Sequence, residues 1–143
     1  MSPIPSRVAG LIEGRSLPAY LATWVRDRPR VAPVWYEVAD GRLHTLASPT
    51  RREEVEQNPA VAAYIQNDDT EDDWFVTLRG TATVSRDRTD INDAARSIYP
   101  RYLGPDPAEW DSTRRADLGA DPNHYLVTID VDSAVVEDDP PEF

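Results

Sequence analysis

The chain reads as a mainly β protein of the α+β kind, a small six-stranded antiparallel barrel flanked by short helices. Three observations predict it. Trp74 to Ser85 alternates apolar and polar residues over the length of a long, half-buried strand. Val31 to Val38 is an apolar run that meets the turn pair Asp40-Gly41 and returns as Leu43 to Ala47, the pattern of a hairpin. From Ile91 the period changes to three-and-four through Ala94, Ala95, Ile98, Tyr99, Tyr102 and Leu103, which is one face of a helix.

Taken in order, residues 5 to 15 predict a first helix, with Ser6 as its cap and Val8, Leu11 and Ile12 on one face. This N-terminal helical segment, residues 1–16, ends at Leu17-Pro18. Tyr20 to Val25 is the first strand, followed by the charged turn Arg26-Asp27-Arg28-Pro29. Val31–Val38 and Leu43–Ala47 are strands two and three, a short helix stops before Pro59, and Val61 to Gln66 is strand four. Asn67 to Asp73 reads as a solvated acidic loop, because it lacks the ligand spacing and central glycine of a calcium loop. Trp74–Ser85 is strand five, with Gly80 marking a bulge or a close backbone approach. The helix of residues 90 to 103 ends at Gly104-Pro105, a weaker helix covers 108 to 118, and His124 to Val131, extending towards Val136, is strand six. Residues 138–143 read as a flexible tail, and the whole of 1–143 as a single domain without repeat or linker.

The start of the helix after strand three carries unusual charge. Thr50 and Glu53 have capping-box spacing, which puts Arg51 and Arg52 in the first turn, where the helix dipole already presents positive charge. An anion at that helix end would explain two cations there. The competing explanation is a pair of surface ion pairs, Arg51 with Glu54 and Arg52 with Glu56.

Pro29-Arg30-Val31-Ala32-Pro33-Val34-Trp35, then Gly41-Arg42-Leu43, then Asn58-Pro59-Ala60-Val61, resemble the motifs of the pyridoxamine 5′-phosphate oxidase-like, flavin-binding split β-barrel family. The similarity runs over roughly residues 4 to 135. It implies a Ser-Arg-Lys-type phosphate loop, in which Arg51 stands where the family has its phosphate-binding Lys. Thr50 stands where Arg is frequent and Pro49 where Ser is frequent, while Ser48 and Arg52 are near enough to substitute. It further implies that the backbone from Ala32 through Pro33 and Val34 to Trp35 runs along a flavin ring. The cofactor-binding set it implies is therefore Arg30, Ala32, Pro33, Val34, Trp35, Ser48, Thr50, Arg51 and Arg52. The family's usual state is a homodimer with the cofactor at the subunit interface.

Composition sets outer bounds. With 143 residues, the chain is long enough for a real core, and its 40% apolar content, thirteen prolines and six glycines fit a globular fold with many turns. No apolar run reaches membrane-spanning length, and the residues after Met1 lack a signal-peptide layout. There are no cysteines, and two histidines, His44 and His124, are too few to predict a metal site. All fifteen basic residues are Arg, against twenty-six acids of which seventeen are Asp, for a net charge of −11. Such a surface repels nucleic acid and anionic membrane, and it fits a cytoplasmic protein of a salt-accumulating, halophilic cell.

No serine sits in a nucleophile elbow and neither histidine comes with a recognisable triad, so hydrolysis is not predicted. A bound cofactor would carry the chemistry instead. Pro33 within an apolar strand marks an edge or bulge. Trp24, Trp35 and Trp74 are read either as core or as cover for a ring, and His44 as a packing or edge residue. The leading reading is a homodimeric FMN-dependent oxidoreductase acting on a small molecule. The alternatives are a reductase using the deazaflavin coenzyme F-420, and a non-enzymatic flavin or haem binder. Pyridoxine-phosphate oxidation itself is not favoured, because the chain ends before the extra C-terminal segment of the true oxidases.

Overall fold

The computed structural model describes residues 4–69 and 72–137. In chain order the elements are helix α1 (Ser6–Ile12), strands β1 (Ala19–Val25), β2 (Arg28–Val34), β3 (Tyr36–Ala39) and β4 (Arg42–Ala47), helix α2 (Pro49–Gln57), strands β5 (Ala60–Asp69) and β6 (Asp72–Ser85), helix α3 (Arg88–Leu103), the one-turn helix α4 (Ser112–Arg115) and strand β7 (Tyr125–Glu137). Short 3-10 turns at Pro107–Glu109 and Ala116–Leu118 flank α4, where the sequence predicts one weak helix.

The strands form one antiparallel sheet in the order β2-β1-β5-β6-β7-β4-β3. That order dictates the curvature. β2 and β3 are the outermost strands, yet only Trp35 separates them in the chain. At about 4.8 Å per strand a flat sheet of this width would hold its edges about 29 Å apart. The two peptide units from Val34 to Tyr36 reach no further than about 7 Å. The sheet must therefore curl until its edges meet, which makes it a split barrel with the seam at Trp35.

Among the described residues the count is seven strands rather than the predicted six, because the run Val31–Val38 is divided at this seam. Its first half pairs with β1 and its second with β4, and between them the Trp35 carbonyl accepts the Thr45 hydroxyl at 2.5 Å. β2 is an edge strand, so the missing N–H of Pro33 interrupts no ladder on its open side. The expected charged turn after β1 is shorter than predicted: Arg28 already pairs with Val25, and Arg26 takes a positive φ of 59° in the two-residue turn. Asp40 and Gly41 (φ 55° and 72°) make the β3–β4 hairpin turn as the sequence predicts, with both residues in the left-handed region. The acidic stretch 67–73 is mostly ladder: Asn67 pairs with Trp74, Asp68 with Asp73 and Asp69 with Asp72. At Gly80 the register of β6 against β7 slips, leaving Asp132 unpaired as a β-bulge. A Cβ at Gly80 would overlap the Asp130 carbonyl, so both predicted reasons for this glycine hold.

The barrel interior is filled by Leu21, Tyr36, Leu43, Ile65, Trp74, Leu78 and Ile129, with Ile12 of α1 and Val55 of α2 at its margins. A second apolar cluster lies where α3 packs through Ile91, Ala94, Ala95, Ile98 and Tyr99 against Trp110 and Leu126. α3 is capped by the Asp87 carboxylate at Thr89 and Asp90, and it runs through Pro100 to a C-cap at Gly104 (φ 94°). Two predicted caps are corrected. α1 has no side-chain cap, because it begins at Ser6 itself with Pro5 in the cap position. α2 begins two residues before the expected Thr50–Glu53 box: Ser48 is the cap, accepting the Arg51 N–H at 3.2 Å, and Pro49 takes the first helical position. Glu53 accepts from Gln57 instead of reaching back. The predicted tail 138–143 lies outside the described residues. Among the described residues no helix is long and apolar enough to cross a membrane.

Candidate functional site

Where the barrel seam, the end of β4, the start of α2 and the second apolar cluster converge, they leave a cleft of about 390 Å³. This is within the range of about 300–1,000 Å³ usual for small-molecule sites. Pro33, Val34 and Trp35 form one wall, and Ser48 and Arg51 stand at one end. Ile98 and Tyr99 of α3, Arg114 of α4 and His124 complete it. Among the described residues no carboxylate lines it, on a chain with twenty-six acids against fifteen bases.

Of the nine candidate cofactor-binding residues, the fold brings Pro33, Val34, Trp35, Ser48 and Arg51 to this cleft. Thr50 is exposed on α2 and does not line it. Arg52 turns the other way, with its guanidinium 4.7 Å from the centre of the Tyr125 ring and 3.5 Å from Glu56. Arg30 bonds Glu54 at 2.8 Å, and Ala32 is half-buried beside it on the edge strand. The tryptophans divide by role. Trp74 is core, Trp24 lies on the outer face of β1, and Trp35 faces the cleft, its ring stacked 5.0 Å from Tyr102 and carrying the Arg114 guanidinium at 4.6 Å. His44 is half-buried on β4 away from the cleft. Burial pushes its imidazole below the ordinary value, so it stays neutral as a packing residue.

Arg51 carries the cleft's electrostatics. It is only 9% exposed, and its Nε has no hydrogen-bond partner among the described residues. The ion pair predicted with Glu54 exists, but at 3.8 Å it is long. Glu54 already accepts from Arg30 at 2.8 Å and from the Thr23 hydroxyl at 3.1 Å. One carboxylate thus serves two guanidinium groups and leaves about one positive charge uncompensated. Burial, and then the neighbouring Arg30, push the Arg51 guanidinium below its ordinary value, with Glu54 opposing. An anion in the cleft would relieve that desolvated charge and give Nε an acceptor.

Behind the opposite wall sits a polar cluster that no sequence motif announces. Asp117 is fully buried and accepts from four donors: the Tyr99 hydroxyl at 2.5 Å, His124 Nδ1 at 2.6 Å, and the N–H groups of Asn123 and His124 at 2.8 and 3.1 Å. Burial pushes its carboxyl up, but the bonds from His124, Tyr99 and the Asn123 backbone outweigh burial and hold it below the ordinary carboxylate value. Tyr99 is pushed well above the phenol range, first by burial and then by that carboxylate, so it remains a neutral donor. Asn92 ties the same segment to α3 through the Asp117 carbonyl at 2.5 Å and the Gly119 carbonyl at 3.1 Å.

The family model described as pyridoxamine 5′-phosphate oxidase matches residues 9–136. Among solved structures, a conserved hypothetical protein from Mycobacterium tuberculosis superposes with a TM-score of 0.76 at 20% identity, covering 96% of this chain and 85% of the other. An F-420 reductase matches with a TM-score of 0.70 at 20% identity, covering 92% and 98%. An FAD-binding protein from Mesorhizobium loti matches with a TM-score of 0.67 at 15% identity, covering 94% and 95%. At these identities the structures speak for the fold alone. No curated protein matches the chain in sequence.

Proposed function

Because this chain belongs to the pyridoxamine 5′-phosphate oxidase family, a family of flavin binders, we propose that it is an FMN-dependent oxidoreductase acting on a small molecule at this cleft. The observation that carries the reading is Arg51, a buried cation whose Nε has no hydrogen-bond partner among the described residues, in a cleft that none of their carboxylates lines. In this reading Arg51 and the Ser48 hydroxyl, whose own proton is not used by the cap, hold the phosphate at the positive end of α2. Pro33, Val34 and Trp35 lie along the ring, and the apolar wall at Ile98 keeps water from one side of it. The flavin, once bound, supplies the hydride chemistry; the protein orients and shields. Thr50 and Arg52 have secondary parts at most, since neither side chain faces the cleft.

The second subunit is proposed to sit on the outer face of β1, β2 and β5. There Tyr20, Trp24 and Val31 are 42%, 40% and 64% exposed, and Tyr64 joins Tyr20 on the same face, with ring centres 6.4 Å apart. The deazaflavin coenzyme F-420 is the competing cofactor, since one structure of this fold is an F-420 reductase.

Protein purified at high salt is expected to retain or take up FMN, seen as flavin absorbance and as the mass of the released ligand. Release of F-420 would move the assignment to the deazaflavin reductase. Failure to bind either overturns the flavin reading. The halophilic reading has its own test. The net charge of −11 predicts that the melting temperature rises steeply with molar KCl, and a flat dependence refutes it.

A further inference from the structure

The Asp117–His124–Tyr99 cluster is not needed to explain the barrel, and it ends in the cleft. The register of β4 against β7 shows where. Ala47 pairs with Tyr125 as the last rung of that ladder, and the residues next beyond it on each strand, Ser48, the cap of α2, and His124, both line the cleft. Arg51 lines the same cleft, three residues into that helix. The imidazole is oriented from below: Nδ1 lies 2.6 Å from the Asp117 carboxylate, which accepts and does not donate, so the ring proton sits on Nδ1. Nε2 is then the nitrogen left for the cleft. Among the described residues, the charged and titratable groups around it are Asp117 beneath, Tyr99 of α3 with its hydroxyl 3.5 Å from Nδ1, Arg51 of α2, and Arg114 of α4, itself paired with Asp111 at 3.1 Å.

With Nδ1–H committed to Asp117, a neutral His124 presents a lone pair at Nε2 and repels a dianion. An imidazolium presents an N–H donor and attracts one. We propose that His124, seated on Asp117, is a second ligand for a phosphomonoester dianion at the start of α2, and that it binds the dianion as the imidazolium, so that binding is coupled to the uptake of one proton from solvent. This rests on reading the cleft as a flavin-phosphate site. It adds a ligand that lies seventy-six residues after Ser48 in the chain. Asp117 is a positioning residue, which selects the nitrogen that faces the phosphate and balances the charge that forms. The balance is simple: one proton passes from solvent to Nε2 as the dianion enters, and no covalent bond to the ligand is made.

The chain has only two histidines, so both imidazoles are resolved in one spectrum of 15N-labelled protein, with His44 as the internal control. The measurement is made at a pH where Nε2 of His124 is unprotonated in the free protein, as found from its own titration. Addition of FMN is expected to move His124 to a state with both ring nitrogens protonated. Riboflavin, which lacks the phosphate, is expected to leave it unchanged, and His44 should respond to neither. Calorimetry in two buffers of different ionisation enthalpy should show proton uptake with FMN that disappears in His124→Gln. That variant should lose on the order of 10- to 100-fold in FMN affinity and little for riboflavin. If FMN binds while Nε2 of His124 stays unprotonated, the proposal is overturned and the flavin reading stands. If neither flavin binds, inorganic phosphate is the probe: protonation of His124 by phosphate alone upholds the anion site without the flavin, and no response to phosphate overturns it.

Discussion

Inside the barrel, Leu21, Ile65, Leu78 and Ile129 lie on paired strands, removed from water in one apolar cluster, and packing holds them. A few ångströms away, the cleft is organised around groups that water would otherwise keep: Arg51 with one shared carboxylate, and Asp117 with four donors. The two regions share β4 and β7 but answer to different physics. In the barrel a lost methylene costs transfer and cavity energy at any pH. In the cleft a lost partner costs little apolar area, yet it strands a charge or a buried polar atom. The contrast separates a scaffold from a site: the first is insensitive to ions and protons, and the second is built to respond to them.

The largest effect should come from the barrel. Leu78→Ala is expected to destabilise by about 2–5 kcal/mol in urea unfolding, with the same loss at pH 7 and at pH 4. A loss below about 1 kcal/mol would mean the interior is not close-packed, and the contrast would fail.

Asp117→Asn comes next, at about 1.5–3 kcal/mol for the charge-assisted bonds it weakens, and here pH matters. The folded-state pKa of Asp117 lies below its ordinary value of 3.8. Its contribution is therefore fully present above that value and is lost as pH falls through the lower folded-state value. The stability gap between parent and variant should be present above about pH 5 and close below about 4. A gap that ignores pH would assign Asp117 to packing rather than charge.

The two arginines of α2 give the smallest effect on folding and the sharpest division between regions. Arg51→Ala is expected to weaken FMN binding by about 10- to 150-fold, with much less loss for riboflavin. Arg52→Ala removes an ion pair on the surface side, and it should cost about 0.2–1 kcal/mol of stability while leaving FMN affinity close to the parent's. Equal FMN losses in both variants would erase the distinction drawn from their opposite orientations, and no loss with Arg51→Ala would leave that side chain as one partner in the Glu54 pair.

What the chain determined by itself is whatever a short window can encode. The alternation of β6, the left-handed turn at Asp40-Gly41, the glycine at the bulge and the three-and-four period of α3 all follow from backbone geometry over a few residues, and each was legible. Arg51 was legible as a cation at a helix start, because charge at that position conflicts with the dipole. Tertiary structure decided what depends on how distant segments dock. In the apolar run 31–38, Pro33 marks an edge or bulge but nothing local places the break at Trp35, since that division comes from the sheet curling until its two edges meet. The cap of α2 is the exception, a local feature: Ser48 rather than Thr50 caps it because Pro49 fits the first helical position and the Ser48 hydroxyl reaches Arg51. The Asp117 cluster joins residues 18 and 7 positions apart that share no period, and they meet only because α3 lies across the segment leading into β7. Local windows encode backbone conformation; the company a buried charge keeps is set by the fold.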